Sequence, residues 1–158
     1  MNNELDKIDL AILGCLQVDA SLSTLEIAEK VNLSQTPCWR RIQRLEEKGF
    51  IQQKVAVLNR KSLGFNLVLY TEVKLSENDE NTLALFEQAI CQHAEITECY
   101  SMLGNSDFLL RIVTKDMESY ERFFYKHLSK LPKIHAINSN AVLSELKNTQ
   151  ALPLQIIG

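Results

Sequence analysis

Hydrophobic positions recur at helical spacing through roughly the first fifty residues and then change to alternation. Ile8, Ile12, Leu13 and Leu16 fall on one helix face before "VDAS" breaks the run. A second, short helix begins at Ser23, whose hydroxyl and Glu26 make a Ser-x-x-Glu capping box, with Leu25, Ile27, Ala28 and Val31 as its buried side. "NL" makes a tight turn, and Ser34 is the N-cap of a third helix. Pro37 is tolerated there because the amides of a first helical turn have no intrahelical partners. Cys38, Ile42 and Leu45 form the inward stripe, leaving Gln35, Thr36, Arg40, Gln43 and Arg44 toward solvent, and Gly49 is the left-handed stop. Residues 50–58, "FIQQKVAVL", alternate in part and are rich in Val and Ile, which predicts a strand or a pair of short strands making a wing.

Beyond "NRKSLGF" the period is two. Residues 66–75 alternate as a strand with Leu67, Leu69, Thr71 and Val73 on one side; a helix follows from about Asn81 to His93 with Leu83, Phe86 and Ile90 inward. Two strands, "ITECYSML" and "DFLLRIVT", are joined by the turn "GNS". A further helix is capped by Asp116 and turns Tyr120, Phe123, Phe124 and Leu128 inward, and a last strand runs from about Ile134 to Glu145. The chain is therefore expected to be α+β, with a winged helix-turn-helix domain over residues 1–60, a linker at 61–65, and a ferredoxin-like βαββαβ domain over 66–158. The second domain puts both helices on one face of an antiparallel sheet. Its other face is expected to be largely apolar, which predicts dimerisation through it.

Composition excludes several classes. The 158 residues are 46% hydrophobic and 23% charged, ordinary for a globular chain, and no apolar run approaches the roughly 20 residues that span a bilayer. The N-terminus "MNNELDKIDL" is charged where a signal peptide is apolar, so the expected location is the cytoplasm, with no membrane partner. Cys15, Cys38, Cys91 and Cys99 form no CxxC pair; they read as reduced, mostly buried thiols, with no metal and no cofactor implied.

The net charge of −3 excludes a coat of basic charge, yet between Met1 and Arg60 positives and negatives balance, so the whole deficit lies in the remainder. Screening makes nearby charge matter more than the total, and Arg40, Arg41 and Arg44 are clustered on the third helix. Helix, short helix, tight turn, helix and wing is the layout whose last helix enters the major groove of duplex DNA. In that role Ser34, Gln35 and Thr36 meet phosphates and base edges, aided by the positive end of the helix dipole, while the arginines and Gln43 follow the backbone or reach bases. The plainer possibility is a surface helix whose arginines pair with Glu46, Glu47 and their neighbours.

The stretches "LDKIDLAILGCLQVDA", "STLEIAEKVNLSQTPCWRRIQRLEEKGFI", "GNSDFLLRIVTKDMESYERF" and "AVLSELK" together resemble, over nearly the whole chain, the leucine-responsive regulatory protein and AsnC family of transcription regulators. The resemblance implies a DNA-binding regulator built of homodimers, often assembled to octamers, whose C-terminal domain takes a small effector, commonly an amino acid. It places the effector between neighbouring dimers near the loop Gly104, Asn105, Ser106, Asp107. Gly104 permits backbone approach, turn amides suit a carboxylate, and the Asp107 carboxylate suits an ammonium group; an ordinary hairpin in which Asp107 accepts from backbone donors is the alternative. The family's effector-response positions fall here on Tyr100, Asp107, Met117, Ala141 and Val142, and we extend them to Ser139 and Asn140. "INSNAVL" departs from the family's usual Thr- or Ser-rich, aromatic-containing strand, and Trp39 stands where leucine is more common.

Two other classes compete. Sirohaem decarboxylases resemble the same two-domain layout and use histidines, but His93, His127 and His135 lie on separate predicted elements with nothing to bring them together, and no phosphate loop, nucleophile elbow or metal-ligand spacing is present, so no catalysis is expected. A redox sensor would act through Cys38 or Cys99, both on predicted inward faces where thiolates are disfavoured.

Overall fold

The computed structural model describes residues 5–77 and 79–157; the outer ends of the two predicted domains, at 1–4 and 158, lie outside the described residues. The chain divides into two compact units, one of residues 1–57 with 147–158 and the other of residues 58–146. Residues from Lys147 onward, grouped with the sheet domain when read from sequence, thus cluster with the helices.

The first unit holds α1 (Lys7–Val18), α2 (Thr24–Lys30) and α3 (Gln35–Glu47). Its core is Ile12, Leu16, Ile27, Ala28, Cys38, Ile42 and Leu45, with Ile8, Leu13 and Val31 packed against it. Leu25 departs from expectation and is exposed. The capping box of α2 forms as predicted, with Ser23 and Glu26 each accepting the other's backbone amide. Both α2 and α3 end in the same device, a Schellman closure around a left-handed residue. Asn32 (φ 55°) follows α2, with its amide donating to Glu29 and that of Leu33 to Ala28. Gly49 (φ 75°) follows α3, with its amide donating to Glu46 and that of Phe50 to Leu45. These two closures fix the turn before α3 and the exit after it. Near the far end of the chain, the Gln17 carboxamide donates to the Leu152 carbonyl (3.2 Å) and accepts from the Leu152 amide (2.9 Å).

The predicted wing strand is corrected. Residues 50–58 form no strand: Val55, Val57 and Leu58 are exposed, and only Ile51 packs against the helical core. A segment becomes a strand by pairing its backbone groups with a neighbour, and this one pairs with no strand among the described residues.

The second unit contains β1 (Leu67–Leu75), α4 (Glu80–Ile90), β2 (Ile96–Ser101), β3 (Phe108–Thr114), α5 (Met117–Lys126) and β4 (Ile134–Ala141). The sheet order is β2-β3-β1-β4, antiparallel throughout, which is the split βαββαβ arrangement expected. Leu69, Val73, Leu75, Phe108, Leu110 and Ile112 meet Phe86, Ile90, Tyr120 and Phe123 in one core beneath the two helices. Asp79 caps α4 through the Thr82 amide, and Asp116 caps α5 through that of Ser119. β4 ends earlier than predicted because it runs out of partner: Ala141 faces Leu69, the Val142 amide donates to Val68, and β1 begins one residue before that.

The open face of the sheet is also corrected. Beside Val68, Tyr70, Leu109 and Tyr100 it carries Glu72, Lys74, Glu98, Arg111, Asn138 and Asn140. It is mixed rather than largely apolar. The Glu72 and Asn138 positions fall on it because a strand sends alternate residues to opposite faces.

Candidate functional site

The third helix opens without a side-chain cap. Ser34 occupies the N-cap position with extended backbone, but its hydroxyl accepts no helix amide. Ser34, Gln35, Thr36 and Arg40 are exposed, as is Trp39, which is 52% accessible. Uncapped amides, a free hydroxyl and the positive dipole end together suit an anionic oxygen. Arg40 enters no salt bridge with any described residue.

The other two arginines are held differently. Arg41 Nη1 donates to Asp6 Oδ2 (2.7 Å) and Asp9 Oδ1 (2.8 Å), and Arg44 Nη2 donates to Asp9 Oδ2 (2.5 Å). Asp9 is 1% exposed and sits in the first turn of α1, where Asp6 and Asp9 also accept each other's backbone amides. The Asp9 amide and then the Arg41 guanidinium hold the Asp6 carboxyl below its ordinary range, and hydrogen bonds to Asp6 and then Asp9 push the Arg41 guanidinium up. Arg41 and Arg44 therefore pin α3 to α1. Their acid partners come from α1 and not from Glu46 or Glu47; Glu46 instead pairs with Lys54 (2.6 Å) and accepts from the Gln43 carboxamide (3.2 Å). Pro37, Arg40, Arg41 and Arg44 line a shallow notch of about 270 Å³ beside this network. The signal for the anchor was in the sequence: two aspartates three apart at a helix start, facing an arginine-rich helix.

The effector candidates do not converge within one chain. Tyr100 stands on the open face opposite Leu109, and the loop at 104–107 closes its hairpin through the Met102 amide and Asp107 carbonyl (2.8 Å). Met117, Ala141 and Val142 lie at the other end of the sheet, because Met117 follows the far end of β3 and Ala141 pairs with Leu69. The two groups are separated by the length of β3, about 20 Å. Ser139 faces the helices, where it accepts from the Tyr120 hydroxyl (2.6 Å) and bonds Thr71 (3.0 Å), while Asn140 lies on the open face opposite Tyr70.

Asp107 is half way to each of its two readings. Its carboxylate accepts from the Leu75 amide (2.7 Å), as in an ordinary hairpin, and holds an ammonium, that of Lys74 (2.9 Å). Lys74 escaped the sequence reading because alternation says which face a residue takes, not which loop it reaches.

The histidines and cysteines need two corrections. His93 and His127 do come together, ring centroids 4.8 Å apart beside Phe123, since α4 and α5 end near each other; His135 stands apart on exposed β4. Cys38 is buried and Cys15 half-buried, but Cys91 and Cys99 are exposed residues at the margin of the sheet unit. Desolvation nevertheless pushes the Cys99 thiol up to about 11 and also raises that of Cys38, so neither is poised as a thiolate. Among the described residues no group of three or more metal-ligating side chains gathers, and no helix is long and apolar enough to cross a membrane.

Comparison with known proteins falls on both units. Residues 5–52 match the family described as winged helix-turn-helix DNA-binding, and residues 68–152 match the Lrp/AsnC ligand binding domain. The DNA-binding transcriptional activator DecR of Escherichia coli K12 is 32% identical over 151 residues, covering 96% of this chain and 99% of that one. The crystal structure of an AsnC family transcriptional regulator from Agrobacterium tumefaciens superposes with a TM-score of 0.92 at 33% identity, covering 97% of this chain and 99% of the other. A transcriptional regulator from Neisseria meningitidis, solved as its complex with L-methionine, gives 0.93 at 31% identity with the same coverage. None of these matches supports the decarboxylase alternative.

Proposed function

Because the chain belongs to the Lrp/AsnC family of DNA-binding transcriptional regulators, and so is no enzyme, we propose that it reads duplex DNA through the N-terminal half of α3 and answers to an amino acid. The observation that carries the first half is the asymmetry of α3. Ser34, Gln35, Thr36 and Arg40 are exposed around an uncapped helix start, whereas Arg41 and Arg44 are held by Asp6 and Asp9. Arg40 is then the arginine free to contact DNA, with Gln43 beside it. Arg41 and Arg44 hold the helix at the angle from which it enters the groove, and lend their charge to the notch that phosphate oxygens approach.

The second half rests on the separation of the effector candidates. An amino acid is small, yet the loop at 104–107 and the Met117, Ala141 and Val142 group lie a strand's length apart. One copy supplies the loop and a neighbouring copy supplies the far end, which makes the homodimer, or an octamer of such dimers, the binding unit. The L-methionine complex of the Neisseria relative favours an amino acid as the ligand class. A ligand that joins copies shifts their assembly, and DNA affinity must change by linkage with it. The working location is the cytoplasm, where DNA and free amino acids are found together.

The test is a pair of titrations. Binding to duplex selected from random sequence should weaken steeply with salt in the wild type, and the slope should fall in Arg40→Ala. A thermal-shift screen of the amino acids should single out one or a few that raise the melting temperature. Salt-independent DNA binding, or no amino acid response in an assembled sample, would refute the corresponding half.

A further inference from the structure

The sheet unit carries a cavity of about 380 Å³ that shares no residue with the effector candidates. Its lining is rich in basic side chains: Lys115, Arg122 and Lys126 bring two ammonium groups and a guanidinium, His127 adds a ring nitrogen, and Glu95 is the one acid. Arg122 also lies 3.7 Å from Glu118, an exposed carboxylate outside the cavity, and among the described residues neither Lys115 nor Lys126 is in a salt bridge. The apolar part of the lining is the exposed Phe65, Val113 and the buried ring of Phe123. We propose that this cavity binds a small phosphate monoester with an apolar or aromatic body.

Charge selects the class. The lining itself carries three basic side chains against one carboxylate, with Glu118 beside Arg122 and Asp116 near Arg122 and Lys115, and this excess of basic groups in the lining suits a monoester phosphate, roughly −1.5 to −2 near pH 7, better than a zwitterionic amino acid. Arg122 offers a planar fork and the lysines offer point charges, the donor set that phosphate oxygens take. Ser119 is in the lining too, with its backbone amide (2.7 Å) and its hydroxyl both directed to the Asp116 carboxylate that caps the helix.

The walls are fixed by backbone bonds. The Phe65 amide donates to the Arg60 carbonyl (2.8 Å) while the Arg60 guanidinium returns to the Phe65 carbonyl (2.9 Å), which holds the Phe65 backbone in place. The Asn66 amide donates to Lys115, and the Val113 amide to the Glu95 carbonyl (2.8 Å), tying the remaining walls to β3. A concave site with aromatic sides admits a compact molecule and not the rod of a duplex.

The full-length protein titrated calorimetrically with phenyl phosphate tests this. The wild type should show saturable binding at millimolar or lower concentration, weakened about tenfold in Arg122→Gln/Lys126→Gln. Glu95→Gln should bind about threefold more tightly, a gain that a folding defect cannot produce. Absence of saturable binding, equal affinity in the three proteins, or competition by free amino acids as effective as by inorganic phosphate would overturn the proposal. So would loss of duplex DNA binding in Arg122→Gln/Lys126→Gln without any phenyl phosphate binding in the wild type. The amino acid thermal shift depends on the opposite groups of residues, so the two readings fail separately.

Discussion

The two units of this chain treat their candidate residues in opposite ways. In the helical unit Ser34, Gln35, Thr36 and Arg40 are exposed together at the start of α3, while Arg41 and Arg44 on the same helix are held by Asp6 and Asp9 from α1. In the sheet unit the candidates sit at the two ends of β3 and β1, and Ser139 is turned under the helices. A site on one helix is assembled by local periodicity alone. A site on the ends of a sheet is not, and the effector site proposed above, with its parts too far apart for one small ligand, calls on a second copy to complete it.

Complementation is the sharpest way to break this contrast. Ser106→Arg and Met117→Arg should each abolish the amino acid thermal shift, and a mixed assembly of the two should recover about a quarter of the sites, since random pairing leaves that share with both halves intact. Failure to recover any would mean that the two groups do not meet across copies. Next in size is Asp9→Asn, which removes the buried charge that holds two arginines. It should cost about 3 kcal/mol in urea denaturation of the helical unit, with the sheet unit unchanged; a loss below that of an exposed pair would demote the anchor. Arg40→Ala should weaken DNA binding about tenfold at moderate salt without altering the urea midpoint, whereas Arg41→Ala should lower both. Binding curves and denaturation on the same preparations separate these outcomes.

The smallest effect is on pH. Asp79 and Asp116 cap α4 and α5, and hydrogen bonds from Thr82 and Ser119 respectively hold both carboxyls below their ordinary 3.8. A group depressed in the folded state contributes fully above its unfolded value and loses that contribution as pH falls through the folded one. Asp6 behaves alike in the helical unit. Thermal melts should therefore be flat from neutrality to about pH 5 and decline below about pH 4 in both units. A decline confined to one unit would show that its caps dominate.

The fold was legible almost throughout because each element carried its own stop signal. Asn32, Gly49, Ser23 and Asp116 do locally what their types allow, and alternation in 66–75 and 107–114 assigns faces correctly. The failures share a cause. The wing needed a neighbouring strand that is not found among the described residues, the open face was judged from apolar residues without counting Glu72 or Arg111, and the meeting of His93 with His127 depends on how two helix ends pack. On α3, spacing identified the arginines but not their partners. Which guanidinium is spent on an aspartate 32 or 35 residues earlier is a property of packing, invisible to periodicity.

The Gln17 carboxamide grips Leu152 only by its peptide amide and carbonyl. Such a grip is blind to side-chain identity, so position 152 is free to drift among nearly all residue types while position 17 is not. Proline alone, which has no amide hydrogen to give, is barred from the grasped position. Variation along the tail of related chains should therefore be wide, and yet tethered to a glutamine more than a hundred residues away.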